Sequence, residues 1–427
     1  MIEVSPETIA AIMLGGFFIG VFTGYPLAFV LGTVGLVSGF LALGDIKLVM
    51  DIFYTRAVDG IYLHYTLIAV PLFIFMGLML EQSGIAERLF DVLYLWLGGL
   101  RGGLAIVTVL LGTVLATTLG IVAASVAMLT IVALPAMVKR GYSKSLATGA
   151  VCAGGCLGIL IPPSIMLVVY GPMAQLSVGK LFFAAFIPGF VLAGLYITYI
   201  TVRGLLQPSI APTIPAEERA VPLGRKIVML VKALVPPAFL ILSVLGVIFF
   251  GVAAPTEAAA IGALAATLLT IAFGRFKWRI LREVSIAVVK NVGYIFIIVI
   301  MAFSFVGIFN SAGGGRVIQE LILSTPGGRW GAFGTIMFVT FILGFFMDWI
   351  GIVFIIVPII TPIGAALEFD PLWFGMMICV NLQMSFMTPP FAPAIFFVRG
   401  TMSPELGITL SDIIHGVTPY VIIIAFT

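Results

Sequence analysis

Charged residues are scarce in this chain of 427 residues. Asp, Glu, Lys and Arg together make up 9% of it, whereas soluble domains carry about 25%. Hydrophobic residues account for 62%, and the mean hydropathy is +1.25. A net charge of +3 does not indicate a nucleic-acid partner. This composition excludes an ordinary soluble domain and predicts an all-α integral membrane protein with many spans in a lipid bilayer.

Residues for covalent or metal chemistry are equally few. Cys152, Cys156 and Cys379 lie in apolar segments, and the first two have no further zinc ligands near them in sequence. The chain contains no nucleophile–base pair, no phosphate-binding P-loop and no metalloprotease signature. We therefore predict that the protein is not an enzyme. Without an ATP-binding motif, any uphill transport is driven by an ion gradient or by a partner.

Two unusual interruptions lie inside apolar segments of membrane-spanning length. One is GGCLGILIPPS, from Gly154 to Ser164, and the other is NLQMSFMTPPFAP, from Asn381 to Pro393. A Pro-Pro pair removes backbone donors and clashes with the preceding turn, so it opens a helix. Within a bilayer, unpaired backbone is tolerated only where protein covers it or where it lines a polar cavity. Paired interruptions of this kind indicate the binding site of a secondary transporter.

The remaining apolar segments predict single membrane spans and two hairpins. The stretches at about 104–138 and 331–367 are too long for one crossing and carry small or polar residues at their middle, so we interpret each as a re-entrant helical hairpin. The interrupted segments are predicted as broken helices over residues 145–171 and 371–399. The predicted single spans are residues 6–23, 26–43, 61–80, 181–203, 233–250, 255–274, 291–311 and 412–427.

Matching residues recur in the same order in the two halves of the chain. Pro26 and Pro255 are 229 positions apart, Ser125 and Asp348 are 223 apart, and the two Pro-Pro pairs are 227 apart. We interpret this as a duplicated unit of three helices, a hairpin, a broken helix and one more helix. The predicted division is a first repeat at 1–203, a linker at 204–232 and a second repeat at 233–427. Residues 223–234 fit an amphipathic helix or a solvated loop equally well.

Each predicted unit crosses the membrane five times, so the second copy must be inverted relative to the first. No Lys or Arg precedes Lys47, which argues against a signal peptide and predicts a retained first helix. With the N-terminus outside, the predicted inside holds 16 basic residues and the outside 5, together the 21 present. Lys and Arg favour cytoplasmic loops, so this orientation, with a periplasmic N-terminus, is predicted.

The chemistry at these interruptions suits a cation and an anion. Freed carbonyls at the C-terminal end of a half-helix are hard oxygen ligands suited to Na⁺, and half-helix N-termini offer N–H groups to an anion. Asp348 stands well inside an apolar stretch, where a carboxylate needs a cation, a donor or water. A tip residue that reaches outside water is the alternative for Asp348. Glu257 is expected to make a structural contact, and Arg399 to anchor a helix end or to pair a substrate carboxylate.

Four stretches of the sequence resemble one transporter family. GGCLGILIPPSIMLVVYG, LPAMVKRGYS, APTEAAAIGA and the run from Gly344 to Gly400 are similar to the DctM-like large membrane subunit of tripartite ATP-independent periplasmic (TRAP) transporters. The resemblance covers essentially the whole chain. It implies an inverted-repeat, elevator-type secondary transporter, in which two re-entrant hairpins and two broken helices slide against the other helices. It also implies coupling to Na⁺.

The resemblance implies two groups of binding residues, carried over by position. The expected Na⁺ ligands are Ser125, Gly155, Gly158, Pro162, Asp348, Gly351, Met387, Thr388 and Pro389. The expected substrate-binding residues are Thr118, Ser164, Asn381, Gln383, Ser385 and Arg399.

The expected partners follow from the same resemblance. They are a small four-helix membrane subunit, a periplasmic substrate-binding protein and an organic-acid anion such as a C4-dicarboxylate, sugar acid or oxo-acid. The expected location is the inner membrane of a bacterium. Some family members carry the small subunit in the same chain. Here the repeats account for every hydrophobic segment, so a separate partner chain is expected.

Three other functions remain open from the sequence. The nearest is a stand-alone Na⁺/dicarboxylate symporter of the same architecture, which needs no delivery protein. A membrane enzyme acting on lipids would require clustered titratable residues, whereas the acids here are isolated. A channel is compatible with two re-entrant hairpins and would be recognised by currents much faster than a carrier's turnover.

Overall fold

The computed structural model of the chain describes residues 5–62, 64–119 and 122–427, without the side chains of residues 62 and 116–119. Every regular element in these ranges is helical. In the first half the helices are α1 (Pro6–Phe22), α2 (Leu27–Leu43), α3 (Ile46–Tyr62), α4 (Ala69–Glu81), α5 (Ile85–Leu97), α6 (Gly103–Leu119), α7 (Val122–Val132), α8 (Leu134–Lys139), α9 (Lys144–Cys156), α10 (Ile165–Met173) and α11 (Val178–Leu206).

The second half continues in the same way. Its helices are α12 (Leu223–Ile241), α13 (Val247–Phe249), α14 (Pro255–Ala272), α15 (Trp278–Ser311), α16 (Gly314–Leu323), α17 (Gly328–Leu343), α18 (Trp349–Ala366), α19 (Pro371–Ser385), α20 (Pro393–Thr401) and α21 (Leu410–Ala425). Short 3₁₀ turns lie at Tyr65–Ile68, Leu157–Ile159, Pro208–Ile210, Glu217–Arg219 and Pro404–Leu406, and a π turn at Leu242–Gly246 joins α12 to α13.

Within the described ranges, six helical segments are long and apolar enough to cross a bilayer. Shorter apolar helices such as α1, α2 and α21 accompany them. The predicted all-α, multi-span class is confirmed at this level. Several predicted spans, among them 6–23, 26–43 and 255–274, agree with the observed helices to within two residues at each end.

Sequence reasoning missed three amphipathic helices and misplaced one span. The helices α3, α5 and α16 carry charges that break the apolar windows, such as Asp51 and Arg56 on α3. The span predicted at 61–80 begins too early, because α3 extends to Tyr62 and α4 starts only at Ala69. On α3 the charged residues Asp51 and Arg56 are exposed and Val49 is buried, but other apolar side chains, among them Ile46, Leu48, Met50 and Tyr54, are exposed as well.

Both stretches predicted as hairpins consist of two helices that contact each other. The first contains α6 and α7, and the second contains α17 and α18 with a turn at 344–348. The tip of the first hairpin includes residues 120 and 121, which lie outside the described residues. Whether either pair is re-entrant in a bilayer stays a prediction, since helix contacts alone do not define the membrane.

The structured chain separates into two compact units, and each takes residues from both predicted repeats. The first unit comprises the described residues up to Leu67, together with Val169–Ser177 and Val289–Leu382. The second comprises Ile68–Val168, Val178–Val288 and Gln383–Thr427. These units do not correspond to the two halves of the sequence. The inverted repeat and its boundaries therefore stay a prediction.

In the first unit, close helix packing depends on small residues and aromatic rings. A Cβ built at Gly20 of α1 would lie 2.5 Å from the Val30 side chain of α2. The Ser304 hydroxyl of α15 donates to the Phe53 carbonyl of α3 at 3.0 Å. Phe17 of α1 packs against Phe305 of α15, with ring centroids 6.2 Å apart. These contacts join α1, α2, α3 and α15 into one layer of packed helices.

Helix α9 lies at the centre of the second unit and packs closely against three helices, α6, α7 and α21. Each close contact includes a glycine, which has no side chain to keep the helices apart. A Cβ at Gly112 of α6 would lie 2.5 Å from the Gly154 carbonyl oxygen of α9. A Cβ at Gly149 of α9 would lie 2.2 Å from the Gly416 oxygen of α21. Gly155 faces α7 in the same manner. Such small-residue contacts are the usual basis of tight helix packing in membranes.

The connection between α11 and α12 is not a free linker. Its backbone N–H groups and carbonyls bond to the ends of other helices of the second unit: Ile214 N donates to Gly98 O at 2.8 Å, and Ser143 N donates to Ile210 O at 2.9 Å. Residues 223–234, predicted as either a helix or a loop, are the start of α12. Of the two alternatives for residues 223–234, the structure shows the helix, whereas the boundaries of the predicted linker stay a prediction.

An exposed ion pair holds the far end of this connection. Arg140 Nη1 donates to Glu218 Oε1 at 2.8 Å, and Arg140 Nη2 donates to the Tyr94 hydroxyl at 3.0 Å. Hydrogen bonds from Arg140 lower the pKa of the Glu218 carboxyl below its usual value. The connection is thus tied by charge to the turn that precedes α9.

Candidate functional site

The first interruption is a fully buried turn between α9 and α10. Helix α9 ends at Cys156, a 3₁₀ turn covers Leu157–Ile159, and α10 begins at Ile165. All side chains from residue 157 to residue 164 are buried. The peptide bond between Pro162 and Pro163 is cis. The helix is broken where the Pro-Pro pair predicted, since neither proline has an N–H to donate.

Most carbonyls of this turn lack a backbone partner. The Leu157 carbonyl accepts from Leu160 N at 3.1 Å and from Ile161 N at 3.0 Å. Among the described residues, no N–H or hydroxyl donates to the carbonyls of Gly158 or of residues 160–163. Buried carbonyls normally find a partner, so this group of oxygens is suited to a cation or to water.

Ser164 has a structural role in the same turn. Its hydroxyl donates to the Ile159 carbonyl, and it accepts a hydrogen bond from Leu167 N at 3.4 Å. The side chain therefore caps the N-terminus of α10 and pairs one of the freed carbonyls. The sequence prediction assigned Ser164 to substrate. The structure gives it these two internal hydrogen bonds.

The second interruption lies between α19 and α20. Helix α19 ends at Ser385 and α20 begins at Pro393, with a cis bond between Pro389 and Pro390. Ala392 has a φ of +32°, in the left-handed region, and Ala394 N donates to Phe386 O at 3.0 Å. The carbonyls of residues 387–391 accept no hydrogen bond from the part of the chain that the structure describes. Met387 is buried, whereas Pro389 is exposed.

The structure brings Ser125 to the first interruption at the level of helix contacts. Ser125 is fully buried on α7, and α7 contacts the turn Leu157–Ile159. One residue further along, a Cβ built at Gly155 would lie 3.1 Å from the Val126 backbone nitrogen. Helix α7 also contacts α20, which follows the second interruption. Four predicted cation residues, Ser125, Gly155, Gly158 and Pro162, thus lie on adjacent elements.

Polar side chains near the second interruption have different environments. The Gln383 side chain is 1% exposed, and its Nε2 has no hydrogen-bond partner among the described residues. Ser385 is buried and has a partner. The Thr388 hydroxyl donates to the Met384 carbonyl at 2.7 Å. Gln383 is therefore the residue with a donor still available to a ligand.

Asn381 serves a packing role in the first unit. Its Nδ2 donates to the Met337 carbonyl of α17 at 2.7 Å, and the side chain is 5% exposed. This bond ties α19 to the first arm of the second predicted hairpin. The predicted substrate role of Asn381 thus competes with an existing hydrogen bond.

Asp348 and Gly351 lie at the start of α18, in the first unit. The half-buried Asp348 carboxylate is the N-cap of α18 and accepts from Trp349 N at 2.8 Å. A Cβ at Gly351 would lie 2.4 Å from the Leu27 side chain of α2. A carboxylate inside an apolar segment requires a hydrogen-bond donor. The N-terminus of α18 supplies it, and its partial positive charge favours an anion. Asp348 and Gly351 belong to a different compact unit from Met387, Thr388 and Pro389.

Three remaining residues have simple positions. Arg399 is exposed in the last turn of α20. Glu257 is exposed and its Oε2 accepts from Ala254 N at 2.9 Å, which closes the first turn of α14. The contact is structural but local to α14, whereas the sequence predicted one at a packed helix interface. Thr118 lies in α6, and its side chain is outside the described residues. The glycines of α6 and α21 that pack on α9 were missed, since single glycines in apolar segments give no distinct signal.

Known proteins resemble this chain along nearly its whole length. The family described as tripartite ATP-independent periplasmic transporter, DctM component, matches residues 14–427. The C4-dicarboxylate TRAP transporter large permease protein DctM of Pseudomonas aeruginosa is 32% identical over 81% of this chain and 80% of its own. The isethionate TRAP transporter permease protein DctMQ of Oleidesulfovibrio alaskensis is 30% identical over 92% of this chain and 61% of its own.

One solved structure has a similar fold. It is the crystal structure of the YdaH transporter of Alcanivorax borkumensis, which covers 97% of this chain and 96% of its own with a TM-score of 0.64. The sequences are 15% identical, so the likeness concerns the fold alone.

Proposed function

This chain belongs to the DctM component family of tripartite ATP-independent periplasmic transporters, and we propose that it is the large membrane subunit of a Na⁺-driven importer of an organic-acid anion. The names of two relatives support an anionic substrate. One names C4-dicarboxylates and the other isethionate. Both are small organic anions.

The observation that carries the cation part is the buried turn between α9 and α10. The oxygens of Gly158 and of residues 160–163 accept no hydrogen bond from the described chain. Na⁺ replaces its water shell with hard oxygen ligands, and carbonyls at a helix C-terminus carry negative partial charge. The buried Ser125 hydroxyl oxygen on the contacting helix α7 would complete this site.

The anion part rests on donors beside the second interruption. Gln383 Nε2 is buried without a partner two residues before α19 ends. The N-terminus of α20 follows in the same unit and contributes partial positive charge, while its first N–H groups are already paired within the protein. Arg399 lies exposed in the last turn of α20, at the opposite end of the helix, and is the charged side chain proposed to meet the anion. A carboxylate or sulfonate would satisfy these donors.

A second cation position at Asp348 and Gly351, at the start of α18 in the first unit, remains part of the proposal. In the second unit, Met387, Thr388 and Pro389 are proposed as cation ligands through carbonyl oxygens that accept no hydrogen bond from the described residues. Asp348 supplies a full negative charge at the N-terminus of α18. In the proposed elevator movement, the two hairpins and the two interrupted helices travel together as an inverted repeat. The remaining helices stay fixed in the bacterial inner membrane, with the N-terminus in the periplasm.

The proposed partners are a small membrane subunit and a periplasmic protein that delivers the anion. DctMQ is longer than this chain, which covers 61% of its length. The proposal therefore allows the small subunit to be fused to the large subunit in some family members and separate in others. Here we place it on a separate chain.

Reconstitution tests the proposal. The chain, its small subunit and the binding protein are combined in liposomes, and uptake of radiolabelled succinate, sialic acid or isethionate is measured with and without an inward Na⁺ gradient. Uptake that needs both Na⁺ and the binding protein supports the proposal. Uptake without the binding protein would favour a stand-alone symporter, and uptake driven equally by K⁺ would remove the Na⁺ site.

A further inference from the structure

The first unit contains an apolar cavity that neither interruption lines. Its volume is about 140 Å³, and α1, α15, α16, α17 and α18 line it. The walls include Phe17, Phe305 and Phe309, all buried. Ile336 of α17, 1% exposed, forms part of the same wall.

One polar group interrupts this lining. Thr340 of α17 lines the cavity and is 1% exposed, and its hydroxyl has no hydrogen-bond partner among the described residues. Other threonines on these helices pair their hydroxyls with the carbonyl four residues earlier. Thr335 does so at 3.0 Å and Thr361 at 2.7 Å. The Thr340 hydroxyl is therefore the exception, and an unpaired buried hydroxyl costs about 1–3 kcal/mol.

The lining decides which occupant fits. A buried water needs two to four polar partners, and this cavity offers one side-chain hydroxyl. Apolar cavities of about 150 Å³ lined by Leu, Ile and Phe bind benzene. A purely apolar molecule would fill the space but would leave the Thr340 hydroxyl unpaired. A benzene-sized molecule with a single hydroxyl group satisfies both.

The entrance lies on the outer surface of α17. Val339 lines the cavity and is 45% exposed, and its neighbour Phe338 is 64% exposed and does not line it. In a membrane-embedded chain, an exposed apolar surface of this kind contacts lipid tails. Small apolar alcohols concentrate there, which gives them a route to the cavity.

We propose that this cavity binds a small apolar molecule with one hydroxyl, of the size of a phenol, taken up from the bilayer and hydrogen-bonded to Thr340. The bound molecule fills the space between α17, α18 and the helices α1, α15 and α16. No residue of either interruption lines the site, while Met347 of its wall precedes Asp348 and lies 2.6 Å from a Cβ built at Gly351.

Photolabelling tests the proposal. Purified full-length protein in liposomes is irradiated with a diazirine-substituted phenol, and labelled peptides are identified by mass spectrometry. The expected result is saturable labelling of residues 336–343 and 355–360, which unlabelled phenol displaces at lower concentration than toluene. Thr340→Val should weaken phenol competition about fivefold and leave toluene unchanged, as expected for loss of one hydrogen bond.

Controls separate the cavity from general lipid contact. Thr335→Val, on the same helix but outside the cavity, should change nothing. Ile336→Phe should abolish saturable labelling by filling the space, and Val339→Phe at the entrance provides the same test should Ile336→Phe fold poorly. Labelling that does not saturate, or that Thr340→Val leaves unchanged, would overturn the proposal. So would labelling by a diazirine on a phospholipid tail that phenol cannot displace.

Discussion

The two interrupted helices share a Pro-Pro pair but differ in what surrounds it. The first turn, at residues 157–164, is buried throughout and offers mainly backbone oxygens. The second, at residues 386–392, exposes Pro389, Pro390 and Phe391 and follows a helix that carries the unpaired amide of Gln383. The first turn supplies hydrogen-bond acceptors at a buried position. The second turn is more exposed and has a hydrogen-bond donor, Gln383 Nε2, close to it in sequence.

This difference teaches that a Pro-Pro pair determines only where the helix opens. The residues before it determine which charge the opening attracts. Glycines before Pro162 allow neighbouring helices to approach and leave carbonyls as the available groups. Polar side chains before Pro389 add hydrogen-bond donors. In the proposed function, the first turn therefore favours a cation and the second an anion.

The largest effect is expected from removing a glycine at the first turn. In Gly155→Ala, the new Cβ would lie 3.0 Å from the Val126 Cα and 3.1 Å from its nitrogen. Backbone cannot move aside as a side chain can, so we expect a loss of about 1–3 kcal/mol in stability and loss of transport. The melting temperature in detergent measures it.

Gly400→Ala is the matched change after the second interruption. A Cβ there meets nothing within 4 Å, so the variant should be as stable as the wild type. Equal melting temperatures for the Gly155 and Gly400 variants would contradict the difference in packing between the two regions.

The second prediction concerns the unpaired amide. Gln383→Met should raise KM for the transported anion at least about tenfold, because a hydrogen bond to a charged group contributes about 1.5–3 kcal/mol. The melting temperature should stay the same or rise, since the amide nitrogen has no hydrogen-bond partner among the described residues. Uptake into liposomes measures KM.

Asn381→Leu is the control for this prediction. Its amide already donates to Met337, so we expect a lower melting temperature and an unchanged KM in the folded fraction. A rise in KM for the Asn381 variant, with none for the Gln383 variant, would reverse the assignment.

The third prediction compares hydroxyls beside the two turns. Ser125→Ala should raise the half-saturating Na⁺ concentration severalfold, because it removes one neutral oxygen ligand from a closed site. Thr388→Val should have a smaller effect, since Thr388 is half-buried beside the exposed Pro389, where water can replace the lost oxygen. The Na⁺ dependence of uptake measures both, and a larger effect for Thr388 would place the tighter cation site at the second interruption.

The smallest effect is expected at the loops that lead into the interrupted helices. Arg140 before α9 pairs with Glu218, whereas Arg329 in the first unit lies over the Phe369 ring at 4.6 Å, just before α19. The pKa of Glu218 is lowered in the folded protein. Its stabilising contribution is therefore complete above the unfolded pKa of about 4.3 and is lost as pH falls through the lower folded value.

Melting temperatures between pH 7 and pH 3 test this comparison. The wild type should lose slightly more stability on acidification than Glu218→Gln, which lacks the carboxylate. High salt should reduce the difference between them, because the pair is exposed and screened. A Phe369→Leu variant should keep the wild-type pH response. Identical acid responses of the wild type and Glu218→Gln would show that the pair does not hold the connection.

Sequence reasoning found the features that have strong local causes. The scarcity of charge predicted the membrane class, and the Pro-Pro pairs at Pro162 and Pro389 predicted both helix breaks. Motif resemblance predicted the family. These signals depend on composition or on residues adjacent in the chain, so no tertiary information was needed.

The features that were missed depend on contacts distant in sequence. Helix α5 is an exception, because its buried Leu89 and Phe90 and its exposed Glu87 and Arg88 follow a helical periodicity that is present in the sequence but too charged for a membrane span. The hydrogen bonds of Asn381 to Met337 and of Ile214 to Gly98 join positions 44 and 116 apart. The hydrogen bond from the Ser164 hydroxyl to the Ile159 carbonyl likewise depends on the folded shape of the turn.

The contact between Gly149 and Gly416 has a consequence for how this protein can vary. Each residue occupies space that a methyl group on the other would need, so the two positions are linked by geometry as one unit. Randomising both codons together and selecting for folded protein should return glycine pairs almost alone. The packing of helix α9 thus depends on positions that have no side chain, and few single substitutions at these positions should be tolerated.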